Sequence, residues 1–363
     1  MRQALALAEL SVGLSEPNPR VGCIITDRHG QVIGQGHTQR AGGPHAEVMA
    51  LRDAQTRSLS VQGATAYVTL EPCAHQGRTP PCCDALIHAG LQRVVVAIED
   101  PNPLVAGQGL SRMRNAGLEV DEIPAGPLRE SARELNIGFF SRMQRQRPWV
   151  RLKVALSMDG RTALYNKQSQ WITGTAARAD GHLWRKRAGA ILTGSGTVLS
   201  DDPQLNVRLV FTHLQPLRAV IDSKLQIPPS AKLFQTGGPA LVYTTTPHPE
   251  KIQMLQKMGV EVRLLPPQQS HSSHVDLAAL LADLANCGIN ELHVEAGESL
   301  NGALIAGGWV DEYLVYMAPL LMGRGRDLGQ LGPFTHLHEG HRLIFHDITR
   351  LGDDLRILAR PSR

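Results

Sequence analysis

The sequence predicts an α/β protein of two domains, and three observations carry that prediction. Apolar runs of strand length alternate with helical patterns through both halves of the chain, the arrangement that builds sheets covered by helices. The length, 363 residues, exceeds what one hydrophobic core normally organises. Near the middle, Ser141-Arg142-Met143-Gln144-Arg145-Gln146-Arg147-Pro148 is polar, basic and closed by proline, which reads as a solvated linker. The domains are therefore placed at residues 1–143 and 148–363.

In the first half, Ala4, Leu5, Leu7, Ala8 and Leu10 give an amphipathic helix that Gly13 ends. Glu16-Pro17-Asn18-Pro19-Arg20 is a turn into a strand over 21–26, residues 27–30 make a hairpin turn, and 31–36 return. His45 opens a helix in which Ala46, Val48, Met49 and Leu51 are mostly apolar. A strand over 64–70 delivers Glu71-Pro72-Cys73 at its carboxyl end, a helix covers 84–89, and a strand covers 93–98. A last strand over 119–123 precedes a helix over 128–140 carrying Leu135, Ile137, Phe139 and Phe140.

Two motifs in this half carry chemistry. They are Pro44-His45-Ala46-Glu47 and Glu71-Pro72-Cys73-Ala74-His75-Gln76-Gly77-Arg78-Thr79-Pro80-Pro81-Cys82-Cys83. One imidazole and two thiolates can hold zinc and leave its fourth position to a water, whose pKa the ion lowers. Glu47, two residues after His45, can reach the open side of the metal without ligating it, where a proton shuttle must sit. The H-x-E…P-C order matches zinc nucleobase deaminases, except that those close with C-x-x-C, whereas eight residues separate Cys73 from Cys82. If Cys82 is the third ligand, residues 74–81 loop out and return at the next helix. Cys83 is the alternative ligand and otherwise packs inward as a structural thiol. His75 could ligate in principle and is read as a loop residue facing the pocket.

In the second half a strand over 149–157 carries Lys153 and leads into Ser157-Met158-Asp159-Gly160-Arg161-Thr162. A helix over 176–188 and a strand over 190–193 precede a small-residue loop from Gly194 to Pro203, where backbone amides can approach a phosphate. Gly194-x-Gly196 lacks the third glycine of a Rossmann fingerprint. Strands over 217–222, 240–245, 260–265 and 291–295 follow, with helices over 249–258 and 275–287. The last of these strands meets Ala296-Gly297-Glu298-Ser299-Leu300-Asn301-Gly302-Ala303, whose fresh helical amides suit a pyrophosphate. Strands over 343–348 and 354–358 complete the chain, and Gly323-Arg324-Gly325-Arg326-Asp327 carries no recognisable chemistry.

The bulk numbers narrow the function. A net charge of +4 with 4% aromatic residues suits an anionic small molecule better than nucleic acid. Five cysteines, three of them near the metal motif, point to reduced thiols and a cytoplasmic protein. The first 14 residues lack a secretory apolar core, and no run approaches the roughly 18 apolar residues of a membrane span.

Several segments together resemble one family. Pro17-Asn18-Pro19, Val21-Gly22-Cys23, Pro44-His45-Ala46-Glu47, Thr69-Leu70-Glu71-Pro72-Cys73, His75 to Cys83 and Asp100-Pro101-Asn102-Pro103 are similar to the deaminase half of the bifunctional riboflavin-biosynthesis deaminase/reductases. Lys153 with Ser157-x-Asp159-Gly160-Arg161-Thr162, Ser169-Gln170-Trp171-Ile172-Thr173, Thr197-Val198-Leu199-x-Asp201-Asp202-Pro203-x-Leu205, Val220-Ile221-Asp222-Ser223 and Val294-Glu295-Ala296-Gly297 are similar to its reductase half.

The resemblance implies a cytidine-deaminase-like domain with one zinc ion, followed by a dihydrofolate-reductase-like domain that uses NADPH. It implies His45, Cys73 and Cys82 as zinc ligands, the long insertion between the thiolates being characteristic of the family, Glu47 as proton shuttle, and Asn18 holding the pyrimidine edge. Asn18 could otherwise form an Asx turn between its prolines. Ala155, Trp171, Thr197, Asp201, Ser223 and the turn Gly297, Glu298, Ser299, Leu300, Asn301, Gly302 and Ala303 are implied to contact the cofactor. Ser169, Arg185, Leu205, Arg208 and Glu295 are implied to contact substrate, with Lys153 orienting or polarising the sugar. Arg185 and Arg208 offer the planar bidentate donors that a ribose phosphate needs. The implied substrate is a phosphorylated pyrimidine ribotide and the implied assembly a homodimer. The start, Met1-Arg2-Gln3, falls a few residues short of what the family leads one to expect.

Two rival functions remain at this stage. A nucleic-acid deaminase explains the zinc motif but leaves the second half without work, and it asks for C-x-x-C and a basic groove. A binding module with structural zinc would normally fill the fourth position with protein and would not require Glu47.

Overall fold

The computed structural model describes residues 1–74, 80–103, 105–268 and 273–362. It divides into two compact units, Met1–Arg147 and Pro148–Arg363.

Unit 1 runs α1 (Arg2–Glu9), β1 (Gly22–Thr26), β2 (Val32–His37), α2 (Ala46–Thr56), β3 (Thr65–Val68), α3 (Cys82–His88), β4 (Arg93–Val96), α4 (Gln108–Asn115), β5 (Glu119–Glu122), α5 (Pro127–Leu135) and α6 (Ile137–Arg145). Its sheet has the order β2-β1-β3-β4-β5. The β1–β2 and β1–β3 pairs are antiparallel, and β3, β4 and β5 are parallel.

The hairpin turn forms as expected, with the Asp27 carboxylate accepting from the amides of His29 and Gln31. The first helix stops at Glu9 and leaves Leu10 58% exposed, because only Ala4 and Ala8 are small enough to lie flat on the sheet. The buried face of α2 differs in the same way from the apolar pattern. It is Ala46, Glu47, Ala50 and Ala54, while Val48, Met49 and Leu51 are half-buried. The cause is close approach. A Cβ on Gly34 would come 2.4 Å from the Ala50 carbonyl, and one on Gly36 would come 2.5 Å from that of Ala46. Glycine on β2 and alanine on α2 thus press the helix start, with His45 and Glu47, against the sheet.

The single helix expected over 128–140 is two helices. They break at Asn136, whose amide exchanges hydrogen bonds with the Arg20 backbone, accepting from its N at 2.7 Å and donating to its O at 2.9 Å. The expected linker is also largely helical. α6 continues to Arg145, and Ser141 is buried and donates to the Arg147 carbonyl at 2.7 Å. The basic run is therefore not all solvated surface, since an Ile137, Phe139 and Phe140 face ties its helix into the core.

Unit 2 runs β6 (Trp149–Ser157), β7 (Ala163–Leu164), α7 (Thr175–Arg187), β8 (Ala190–Gly194), α8 (Ser195–Asp201), β9 (Leu217–Ile221), α9 (Lys232–Gln235), β10 (Ala240–Thr244), α10 (Pro249–Lys257), β11 (Val260–Leu264), α11 (Leu277–Asn286), β12 (Glu291–Val294), α12 (Glu298–Ala306), β13 (Glu312–Ala318), β14 (Gly325–Arg326), β15 (Leu343–Leu351) and β16 (Asp354–Pro361). Nine strands form one sheet in the order β11-β10-β9-β8-β12-β6-β13-β16-β15. All pairs from β11 to β13 are parallel, and β13–β16 and β15–β16 are antiparallel. A two-stranded flap pairs β7 with β14. On one face of the parallel strands, Val150, Leu152, Leu192, Leu241 and Leu292 pack with Leu280 and Leu284 of α11 and Leu304 of α12, and Val220 and Val242 pack in a second cluster on the other face.

Candidate active sites

In unit 1, His45 caps the start of α2 and Cys82 begins α3. Cys73, in the segment after β3, lies between them. His45 Nδ1 is 3.6 Å from Cys73 Sγ and 3.3 Å from Cys82 Sγ, and the Cys82 amide donates to Cys73 Sγ at 3.4 Å. The three donor atoms lie within 4.8 Å of one another. Cys83 faces the core instead, fully buried. His75 lies outside the described residues.

The electrostatics favour a cation. Hydrogen bonding from Cys82, and then from His45, pulls the Cys73 thiol down to about 4, although burial opposes it. Cys82, the donor, is pushed up. His45 is raised, first by its hydrogen bond to Cys73. Such donors, held together by a shared proton, bind a divalent cation with release of that proton. Two sulfurs and one nitrogen suit zinc, and among the described residues the set stops at three donors, as in an open catalytic site. Glu47 is 3% exposed, and burial, then the Cys73 charge, push its carboxyl up to about 7.

Glu71, to which the sequence alone gave no role, organises the neighbouring loops. Its buried carboxylate accepts from the amides of Asp100, Gly107, Gly109 and Leu110 at 2.8–3.3 Å. That anchors the segment around the start of α4 beneath Pro72 and Cys73. The signal was an acid at a strand end inside the metal motif. Asn18 closes a backbone turn with Ser15, its N donating to the Ser15 carbonyl at 2.8 Å.

In unit 2 the connections from β8 and β12 leave the sheet in opposite directions, toward β9 and toward β13. Ligands bind doubly wound sheets at such a switch point, outside the carboxyl ends of the strands. A cavity of about 1160 Å³ lies there. The loop expected after β8 is instead the short helix α8, so two helices, α8 and α12, open directly from adjacent strands. Their starts are close, since a Cβ on Gly297 would come 3.7 Å from Thr197 Oγ1.

Of the implied cofactor contacts, Ala155, Thr197, Asp201 and Ser223 line the cavity, as do Gly297, Glu298, Ser299, Leu300 and Ala303. Trp171 lines it too, 66% exposed, with the Arg178 guanidinium 4.7 Å over its ring. Asn301 and Gly302 do not. They occupy the far side of α12, where Asn301 Nδ2 donates to the Leu328 carbonyl at 2.8 Å and a Cβ on Gly302 would come 2.4 Å from the Gln330 carbonyl. Gly302→Ala is accordingly expected to destabilise unit 2 by about 1–3 kcal/mol through backbone overpacking, read as a lower midpoint in denaturant.

Lys153, Ser169 and Glu295 line the cavity. Arg185, Leu205 and Arg208 do not line it. The Arg185 fork is spent on Glu295, Nε to Oε1 at 2.5 Å and Nη2 to Oε2 at 2.8 Å, while Nη1 donates to the Asn206 carbonyl at 3.0 Å. In this structure it grips a carboxylate rather than standing free for a phosphate. The Leu205 side chain is 2% exposed, so packing claims it. Arg208 is exposed, its N donating to His182 Nδ1 at 3.2 Å and its Nη1 to Asn206 Oδ1 at 3.2 Å. Lys224 and Arg326 line the cavity unanticipated, the first directly after a strand-end Ser223 and the second in the Gly-Arg-Gly-Arg run dismissed as inert.

One unit thus has the layered sheet and open His-Cys-Cys site of a zinc-dependent deaminase. The other has the cavity of a nucleotide-using α/β enzyme. The cytidine and deoxycytidylate deaminase zinc-binding region matches residues 1–98, and the RibD C-terminal domain matches 148–357. The chain belongs to the RibD family, the bifunctional deaminase/reductases of riboflavin biosynthesis.

The riboflavin biosynthesis protein RibD of Escherichia coli K12 is 43% identical over 374 residues, covering 98% of this chain and 96% of that protein. The one from Aquifex aeolicus is 41% identical over 360 residues, covering 99% and 97%. Acinetobacter baumannii RibD superposes with a TM-score of 0.89 at 41% identity, over 100% of this chain and 98% of that one. A diaminohydroxyphosphoribosylaminopyrimidine deaminase/5-amino-6-(5-phosphoribosylamino)uracil reductase from Thermotoga maritima gives 0.86 at 31% identity, over 100% and 97%. The second unit therefore has the dihydrofolate-reductase-like fold of the RibD reductase domain.

Proposed function

We propose that unit 1 deaminates 2,5-diamino-6-(5-phosphoribosylamino)pyrimidin-4(3H)-one and that unit 2 reduces the resulting 5-amino-6-(5-phosphoribosylamino)uracil at its ribosyl group with NADPH. The observation that carries the reading is the pairing, in one chain, of an open three-donor site beside buried Glu47 with a switch-point cavity holding Lys153 and Glu295. The Thermotoga maritima protein is described by the same pair of activities.

His45, Cys73 and Cys82 would hold zinc, which when bound supplies a Lewis acid that lowers the pKa of water. Glu47 does the proton work. With its carboxyl pushed up to about 7, it accepts a proton from the attacking water and returns it to the departing amine near neutral pH. Asn18 would hold the pyrimidine edge.

NADPH, when bound, supplies hydride. The amides opening α12 at Gly297, Glu298 and Ser299 would hold its pyrophosphate, and Thr197, Asp201, Ser223, Ala155 and Trp171, which line the same cavity, would contact it. Lys153 orients the sugar. Burial lowers its pKa and the Glu295 charge opposes that shift. Glu295 and Ser169, which line the cavity, would meet the substrate, and Arg185 acts through Glu295.

A cytoplasmic setting is supported by five free cysteines and by the absence, among the described residues, of any helix long and apolar enough to cross a membrane. The homodimer reading is supported by the edge strand β15, where Ile344 is 54% and Phe345 65% exposed. Such an apolar edge invites pairing with a second copy.

The test follows ammonia release and NADPH oxidation separately on the diaminopyrimidinone ribotide. Ammonia is expected without NADPH, and NADPH consumption only once deaminated product exists. No ammonia from zinc-replete protein would overturn the deaminase assignment. Ammonia without any oxidation would return unit 2 to a nucleotide-binding role.

A further inference from the structure

One buried titratable side chain has no part in the mechanism above. His293 lies on β12 two residues before Glu295, so the two side chains leave the strand on the same face. It is fully buried, and its Nε2 is 3.2 Å from Glu295 Oε1. Among the described residues, none makes a well-formed hydrogen bond to either ring nitrogen. An imidazole left in that condition is a poor way to fill a core, because a leucine would occupy the space without stranding polar atoms. Arg151, Arg185 and Glu295 are the charged groups around it. Burial lowers the ring's pKa most, Glu295 opposes it, and the two guanidinium groups add to the lowering, so the neutral ring can offer an N–H without adding charge.

The Glu295 carboxylate is therefore approached by two elements. From α7, Arg185 grips both oxygens. From β12, His293 adds a contact to Oε1 alone. Oε1 faces both Arg185 and His293, whereas Oε2, which accepts from Arg185, retains acceptor capacity for a substrate hydroxyl.

We propose that His293 is a positioning residue that fixes the Glu295 carboxylate for the substrate of the reduction, its neutral ring offering Nε2–H to Oε1 across 3.2 Å. The inference rests on the reading of Glu295 as a substrate contact.

The experiment uses the full chain with His293→Leu, His293→Gln and Glu295→Gln. All four tryptophans, Trp149, Trp171, Trp184 and Trp309, lie in unit 2, so selectively excited tryptophan fluorescence reports on that unit. The leucine variant is expected to lose roughly tenfold or more in reductase kcat, the scale of a hydrogen bond to a charged group. Its KM for NADPH should stay within about twofold and its melting temperature should not fall. The glutamine variant, which restores an N–H donor, should recover most of the rate.

Unchanged kcat in the leucine variant would make His293 a packing residue and overturn the proposal. Loss of rate together with a lower melting temperature, unrescued by glutamine, would overturn it too. Unchanged kcat in Glu295→Gln would instead remove the parent reading of Glu295, a failure distinct from either.

Discussion

Glu47→Gln is expected to reduce ammonia release by about 10²–10⁴-fold, the usual range for a positioned proton-transfer group, while zinc content and NADPH oxidation on pre-deaminated substrate stay as in wild type. The amide is nearly isosteric, so the tight seat of α2 on Gly34 and Gly36 is undisturbed. The three metal donors are untouched, because Glu47 is not among them. What the substitution removes is a carboxyl that is 3% exposed and held near 7, able to take up and release a proton at physiological pH. A glutamine in the same place can hydrogen-bond but cannot carry the proton across. Metal analysis on the same sample separates this outcome from simple loss of zinc. The second unit's oxidation of NADPH serves as an internal control for folding. Ammonia release within about threefold of wild type would show that another group moves the proton, and Glu47 would revert to a buried structural acid.

The two halves were unequally legible in the sequence. The zinc cluster was readable because its chemistry demands particular residue types, and types survive in a sequence without coordinates. His45, Cys73 and Cys82 converge as expected although eight residues separate the thiols. The nucleotide cavity was readable in outline, since strand-to-helix turns at β8 and β12 announce themselves through small residues. Its particulars were less so. The seven residues from Gly297 to Ala303 span almost two turns of helix, so some must face away, and only geometry shows that Asn301 and Gly302 are the ones. Arg185 illustrates a different limit. Sequence identifies a residue able to bind an anion, but not that Glu295, more than a hundred positions later, is the anion it meets.

Secondary structure failed where tertiary contacts overrode local pattern. Asn136 splits a continuous helical pattern because the Arg20 backbone claims its side chain. Strand β13 was not assigned, although Tyr313-Leu314-Val315-Tyr316 carries an aromatic and β-branched signal. α4 escaped notice too, because Leu110 and Met113 alone make its buried apolar face.

The largest stability effect is expected from Arg151→Met. Arg151 on β6 is 2% exposed, with Nε 2.5 Å from Glu312 and Nη1 2.8 Å from Glu291, both carboxylates as buried as itself. Its guanidinium lies 4.4 Å over the Trp184 ring. Methionine fills much of the volume but leaves two buried carboxylates short of a partner. Breaking a buried pair from one side costs about 3–5 kcal/mol. The low end, about 3 kcal/mol, applies here because Arg187 remains 2.9 Å from Glu291 and Arg360 remains 2.8 Å from Glu312. For a unit of this size that corresponds to roughly 6–12 °C in melting temperature, followed by tryptophan fluorescence.

Acid titration tests the same network from the other side. Burial alone would raise the Glu312 pKa, but the charges of Arg151 and Arg360 bring it below its ordinary 4.5. A carboxylate depressed in the folded state contributes stability above its unfolded pKa and loses that contribution as pH falls through the folded one. The gap between wild type and Arg151→Met should therefore hold steady above about pH 4.5 and narrow below it. A gap absent at neutral pH would mean that Arg187 and Arg360 already satisfy both carboxylates. Arg151 would then be held in place by Trp184 rather than by charge.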